Sequence, residues 1–253
     1  MQKIITPVLF ILLFTFSSSA QVDSTVKQKA ATSAEQKNLI KINLPALVFK
    51  NITVQYERVI SKKTTIGLTV RMMPKGSIPF KSSFKDLLDS ANDKEQVDNF
   101  KVGNFAIMPE IRFYLGKKGA YHGFYIAPFL SYAHYTAELP YKYDDNGTKK
   151  SIPLSGSINT ITGGLMFGAQ WQLGKAFYLD WWIFGPHYGS SNGSISGKQS
   201  LSPSEQASLK SDLDNFDVPL VKTTNTVNAS GATIDFKGPW AGVRSGLAIG
   251  IRF

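Results

Sequence analysis

The sequence predicts an all-β fold: an eight-stranded antiparallel transmembrane β-barrel with short periplasmic turns, long outer loops and short helices in those loops. Three observations predict it. From Asn38 onward the hydrophobic period is two rather than 3.6. The breaks between alternating segments are short on one side and long on the other, as in outer-membrane barrels. The chain ends inside an alternating segment, on Phe253, where soluble proteins usually carry a frayed polar tail.

Composition agrees. The 253 residues suffice for one large domain or two small ones. Only 18% are charged, below the roughly 25% of soluble chains, and Gly 21, Tyr 10 and Phe 17 favour strands. The absence of cysteine excludes a disulfide framework, a cysteine zinc site, a thiol nucleophile and a lipoprotein anchor. No apolar run reaches the roughly 18 residues of a spanning helix.

Residues 1–20 read as a signal peptide. Lys3 gives a positive start, Ile4–Phe16 an apolar stretch, and Ser18 and Ala20 a small-x-small cleavage site before Gln21. Residues 21–37, rich in Ser, Thr, Ala, Gln and Lys, lack apolar periodicity and read as a disordered leader. Cleavage would remove Lys3 and lower the formal balance of the whole chain, +10, to +9.

The barrel occupies 38–253, with strands expected at 38–48, 51–60, 64–73, 103–115, 123–137, 156–173, 176–186 and 240–253. In the second, Ile52, Val54, Tyr56 and Ile60 share a face, with Arg58 near the Ser61 turn, where it can snorkel. In the third, Ile66, Leu68, Val70 and Met72 oppose Thr65, Gly67, Thr69 and Arg71. In the fourth, Phe105, Ile107, Pro109, Ile111 and Phe113 oppose Ala106, Met108, Glu110, Arg112 and Tyr114. In the seventh, Phe177, Leu179, Trp181 and Ile183 oppose Tyr178, Asp180, Trp182 and Phe184. In the eighth, Val243, Leu247, Ile249, Ile251 and Phe253 oppose Gly242, Arg244, Gly246, Ala248, Gly250 and Arg252. Connections are short at 61–63, 116–122 and 174–175, and long at 74–102, 138–155 and 187–239.

Alternation alone does not say which face is inside, since a soluble barrel alternates too. The uneven connections and the last strand favour bulky faces outward. Leu247, Ile249, Ile251 and Phe253 resemble the terminal signal read by the barrel-assembly machinery. Tyr56, Phe113, Tyr114, Phe124, Tyr125, Trp171, Phe177, Tyr178 and Phe253 lie near the short turns, as an interfacial girdle would. An outward Arg costs about 2–4 kcal/mol at the bilayer midplane, so a one-residue slip exposing Arg244 is disfavoured.

The expected interior positions are Lys41, Asn43, Gln55, Glu57, Arg71, Glu110, Arg112, Thr160, Thr162, Gln170, Asp180 and Arg244. An eight-stranded barrel has room for side chains or one small ligand. Mixed charges there favour a plug, with Lys41, Glu57, Arg71, Glu110, Arg112, Asp180 and Arg244 as its charge network. Ser202-Pro203-Ser204-Glu205 is a capping box followed by Leu209, Leu213 and Phe216. Phe84, Leu87, Leu88 and Ala91 form a second, shorter apolar stripe.

Catalytic residues are sparse. His122, His134 and His187 lie in separate segments and make no metal-ligand spacing. Asp144-Asp145-Asn146-Gly147 reads as a turn without the distal Glu of an EF-hand. His187–Asn192 resembles only loosely the His and Ser, two apart, of eight-stranded lipid A deacylases. Ser190 would face the other way, and Ser191, four residues on, lies about 13 Å from His187. No basic groove interleaved with aromatics suggests nucleic acid.

The segments 51–58 (NITVQYER), 109–116 (PEIRFYLG) and 123–128 (GFYIAP) resemble those of a family of small, uncharacterised outer-membrane β-barrel proteins frequent in Bacteroidota. The resemblance implies location and fold and supplies no catalytic residues. The expected function is therefore a non-enzymatic outer-membrane protein of a Gram-negative bacterium. Both termini would be periplasmic and no cofactor is needed. Its partners would be outer-membrane lipid, lipopolysaccharide, the assembly machinery and an unknown extracellular ligand. The alternatives are a narrow channel or small-ligand transporter, a lipid A-modifying enzyme, and a soluble periplasmic ligand-binding barrel.

Overall fold

The computed structural model describes residues 36–86, 97–145, 147–214 and 222–253. The expected signal peptide, most of the leader, Leu87, Leu88, Ala91 and Phe216 lie outside them.

Nine antiparallel strands form one sheet: β1 (Asn38–Asn43), β2 (Ile52–Ser61), β3 (Thr64–Ser77), β4 (Lys101–Tyr114), β5 (Gly123–Asp145), β6 (Thr148–Gln172), β7 (Phe177–Lys198), β8 (Lys222–Asn228) and β9 (Gly231–Arg252). Sequential neighbours pair from β1 to β7, β7 pairs with β9, and β9 returns to β1, so eight strands close a barrel-like ring. Closure runs from Leu39↔Arg252 to Asn43↔Ala248. The Asn38 N–H donates to the Phe253 carbonyl at 3.0 Å, and the Phe253 N–H donates back to Asn38 at 2.9 Å.

The period-two pattern becomes two faces. Ile52, Tyr56, Ile66, Leu68, Val70, Phe105, Ile107, Ile111, Phe113, Trp181, Val243 and Ile251 are exposed on the outside of the ring. Lys41, Gln55, Glu57, Glu110, Arg112, Gln170 and Asp180 are buried inside it. Hydrogen bonding around a closed ring leaves no net preference for which face turns in. The side-chain pattern decides, and here the polar face is the interior one.

Four details differ from the sequence expectation. Strand β1 stops at Asn43, because the Asn43 side chain accepts from the Ala46 N–H and Pro45 occupies the first turn of a helix, α1 (Leu44–Val48). Tyr114, Tyr125 and Tyr178, expected in the outer girdle, are buried inside. Tyr114 shares the inward parity of Arg112 on β4, Tyr178 that of Asp180 on β7, and Tyr125 that of Ala127 and Phe129 on β5, and period two overrides position near a turn. Phe184, expected inward, is exposed, since a bulge between Trp182 and Gly185 resets the parity of β7. Much of the expected long loops is strand: β5, β6, β7 and β9 continue past the ring, and β8 pairs with the start of β9.

These extensions carry a second core. Tyr143, Ile152, Leu154, Leu201, Ala232 and Ile234 pack with Leu209 and Leu213 of α3 (Pro203–Asp214). The capping box forms reciprocally: the Ser202 N–H donates to Glu205 at 2.7 Å, and the Glu205 N–H donates to the Ser202 hydroxyl at 3.3 Å. A third short helix, α2 (Lys81–Asp86), follows β3. Among the described residues, no helix is long and apolar enough to cross a membrane, which says nothing about strands.

Candidate functional site

The interior of the ring, at the level of Lys41, Arg112 and Asp180, is a continuous ionic cluster. The sheet places its members by parity: Lys41 from β1, Glu57 from β2, Glu110 and Arg112 from β4, Asp180 from β7 and Arg244 from β9. Lys41 donates to Glu57 and, at 2.6 Å, to Asp180. The Arg112 guanidinium donates to Glu110 at 2.5 Å, Asp180 at 2.7 Å, Gln55 at 2.8 Å and Gln170 at 3.2 Å. Arg244 donates to Glu110 at 2.7 Å and to Thr69 at 2.9 Å.

Three cations face three carboxylates, so the cluster is neutral, and every carboxylate oxygen is occupied. Thr65 and Tyr114 donate to Glu57 at 2.5 and 2.7 Å. Tyr125 and the Trp182 indole donate to Asp180 at 2.8 and 2.9 Å. Arg112 stacks over the Tyr125 ring at 4.3 Å and Arg244 over Trp182 at 4.3 Å. Burying ions costs several kcal/mol each unless their partners are complete. This arrangement gives every carboxylate oxygen a donor, and it ties β1, β2, β3, β4, β5, β6, β7 and β9 together across the interior. Among the described residues, the Gln170 side-chain NH2 and Arg244 Nε stay without partners.

Close packing maintains the cluster. A Cβ on Gly168 would lie 2.3 Å from the Tyr125 ring, and one on Gly246 would lie 2.1 Å from Asn43 Nδ2. Glycine lets both polar side chains approach the wall.

Of the seven expected network residues, six meet here, and Arg71 does not. Arg71 donates to Asn104 at 2.8 Å and to the Tyr135 hydroxyl at 3.2 Å, nearer the far end of the ring. Sequence reasoning did not identify Thr65, Tyr114, Tyr125 and Trp182 as partners, although each shares its strand's inward parity. Asn43, Thr160 and Thr162 are buried, as their parity implied.

The arrangement has little to offer acid–base chemistry, because each carboxylate is already neutralised by Lys or Arg. Among the described residues, no group of His, Asp and Glu is arranged to hold a metal ion. The histidines are far apart in the fold: Nδ1 of His134 lies 2.8 Å from Asn159, His187 packs against Phe129, and His122 lies near Tyr178. His187 Nδ1 lies 3.4 Å from the Gly185 carbonyl, and among the described residues no Ser or carboxylate orients it.

Beyond the ring a second polar cluster pins α3 to the β5–β6 hairpin. Lys150 lies 2.9 Å from both Asp145 and Glu205. The Lys150 ammonium, with the Ser202 N–H and hydroxyl, holds the Glu205 carboxyl down to about 2. Lys150 and Ser204 hold Asp145 below the usual carboxylate range.

A family model described as a protein of unknown function (DUF3575) matches residues 9–188. The chain belongs to the DUF3575 family. The DUF3575 match takes in Lys41, Glu57, Arg71, Glu110, Arg112 and Asp180 and stops before Arg244 and β9. No curated protein and no solved structure matches the chain.

Proposed function

We propose that this DUF3575 protein is an exported outer-membrane β-barrel whose lumen is closed by the ionic cluster. It acts without catalysis, as a structural or binding protein through the lobe built by the strand extensions and α3. The observation that carries the reading is the inversion of polarity. Large apolar side chains cover the outside of a closed ring, and a charge-balanced cluster of three cations and three carboxylates fills the inside. In water the exposed belt would have no solvent to suit it, whereas hydrocarbon suits it on every strand. Arg58, the charged exception, lies near the turn end and donates to Asn38 at 3.0 Å.

On this reading the termini and short turns are periplasmic and the α3 lobe is extracellular, in contact with lipopolysaccharide. The outward Leu247, Ile249, Ile251 and Phe253 of the closing strand are what the assembly machinery engages. The lobe has its own apolar core and a paired Lys150 cluster, so it is a folded platform, suited to binding an extracellular ligand.

Reconstitution tests this. Folded protein in liposomes should leave small-solute and ion flux at the level of protein-free vesicles, because the cluster blocks the lumen. Flux well above that level would overturn the closed-lumen reading.

A further inference from the structure

The end of the ring opposite the α3 lobe is a cationic rim. Its short turns and strand ends carry Lys62, Lys63, Lys117, Lys118, Lys175 and Arg252, and no Asp or Glu occurs in 59–64, 115–124, 172–177 or 249–253. The five lysines are exposed and Arg252 is half-buried. A cavity of about 640 Å³ opens into this rim, between the 116–122 turn and the end of β6, within the size range of small-molecule sites. Lys117, Lys118 and His122 line it from the turn, and Gln170, Trp171 and Gln172 from β6. No carboxylate belongs to its wall among the described residues.

Of these six side chains only Gln170 is buried, so it forms the floor. Its Oε1 accepts from Arg112 at 3.2 Å and from the Tyr114 hydroxyl at 2.8 Å, on the side of the plug. Its NH2 has no partner among the described residues. The residue paired with Gln170 on β5 is Gly123, which also lines the cavity and brings no side chain. A Cβ on Gly123 would meet no atom within 4 Å, so the space on that side of Gln170 is open. The amide therefore has its oxygen committed to the plug and two N–H donors left for an acceptor entering the cavity. Burial, together with the charges of Lys118 and Arg252, holds the His122 imidazole below its ordinary value, so the field of both cations reaches the cavity wall.

We propose that this cavity holds the phosphate of an anionic phospholipid from the periplasmic leaflet, with Lys117 and Lys118 at its mouth and the Gln170 NH2 at its floor. Lysine ammonium groups bind phosphate as point charges, and the several phosphate oxygens can accept from lysine and amide at once. Position points to a lipid as the carrier. Trp171 and Phe124 are exposed on the outer face where the cavity meets the apolar belt, so acyl chains can run from the head along side chains already turned to lipid. A polybasic rim beside a membrane surface concentrates anionic headgroups there. Free phosphate would use the same donors and leave Trp171 and the belt unused.

This rests on the membrane-barrel reading, and the experiment separates the two. Full-length protein in maltoside micelles is first checked for heat-modifiable migration, which reports the folded barrel. Folded protein is then titrated with radiolabelled phosphatidylglycerol against empty micelles, with inorganic phosphate as the head-only competitor and diacylglycerol as the chain-only competitor. Saturable binding should appear that neither competitor displaces at a concentration equal to that of the lipid. Lys117→Ala combined with Lys118→Ala should weaken it about tenfold or more. Lys62→Ala combined with Lys63→Ala removes the same charge from the rim outside the cavity and should change it less than about threefold. Saturation should also shift the Gln170 side-chain amide signal in a nitrogen-15 spectrum. No saturable binding, equal losses in the two double variants, displacement by either competitor at equal concentration, or an unmoved Gln170 amide would each overturn the proposal while leaving the folded barrel standing. Failure to migrate as a folded barrel would instead count against the membrane reading.

Discussion

Replacing Arg112 by Met keeps side-chain bulk and removes one charge from the centre of the ionic cluster. Arg112 is fully buried and touches Glu110, Asp180, Gln55 and Gln170 at 2.5 to 3.2 Å. Without it Glu57, Glu110 and Asp180 face only Lys41 and Arg244, so one buried carboxylate is uncompensated. Removing one partner of a buried pair costs about 3–5 kcal/mol. The loss should be read in urea titrations of the folded protein in micelles, as a lower midpoint with little change in slope. A second substitution separates charge from packing. Asp180→Asn on the Arg112→Met background leaves two cations facing two carboxylates, and Asn can still accept from Lys41 and Trp182. The double variant should recover about 1–2 kcal/mol relative to the sum of the singles. If Arg112→Met falls within about 0.5 kcal/mol of the parent, or the double variant is simply additive, the cluster is not the coupled cross-link described here.

Three further outcomes follow from other parts of the molecule. Leu68→Arg, on the exposed belt, should cost about 2–4 kcal/mol in a bilayer and reduce the folded fraction recovered in membranes, whereas a water-exposed belt would tolerate it. Leu209→Ala, at a fully buried position of α3, should cost about 2–5 kcal/mol within the lobe. Faster amide exchange across α3, with unchanged heat-modifiable migration, would show that loss to be local. The Glu205 carboxyl is held down to about 2 from its ordinary 4.5, so its contribution is complete above about pH 4.5 and is lost as pH falls toward 2. Exchange in α3 should accelerate across that window, and Glu205→Gln should flatten the dependence.

The sequence disclosed the ring better than the elements around it. Parity along β2, β4, β7 and β9 is a local property that puts Glu57, Glu110, Arg112, Asp180 and Arg244 on the polar face, and the uneven connections with the last strand turn that face inward. Which of them meet depends on the stagger between strands, so Arg71, on the same face as Thr69, could not be separated from the cluster. The end of β1 was hidden because Ile40, Ile42 and Leu44 continue an alternating pattern while Asn43 and Pro45 start a helix. The extensions of β7 and β9 were hidden for another reason. Residues such as Ser190, Ser194 and Ser196 have polar neighbours on both faces, so period two vanishes from the sequence although the ladder continues. The helix α3 was legible because its capping box and Leu209 and Leu213 are local signals.

The central claim is that the exposed apolar belt faces lipid. Its most direct test is to express the whole chain with residues 1–20 in place, separate the membranes, and compare boiled with unboiled samples on a gel. The account predicts that the protein fractionates with outer membranes and migrates differently before and after boiling. Recovery as a soluble periplasmic protein without detergent would contradict it.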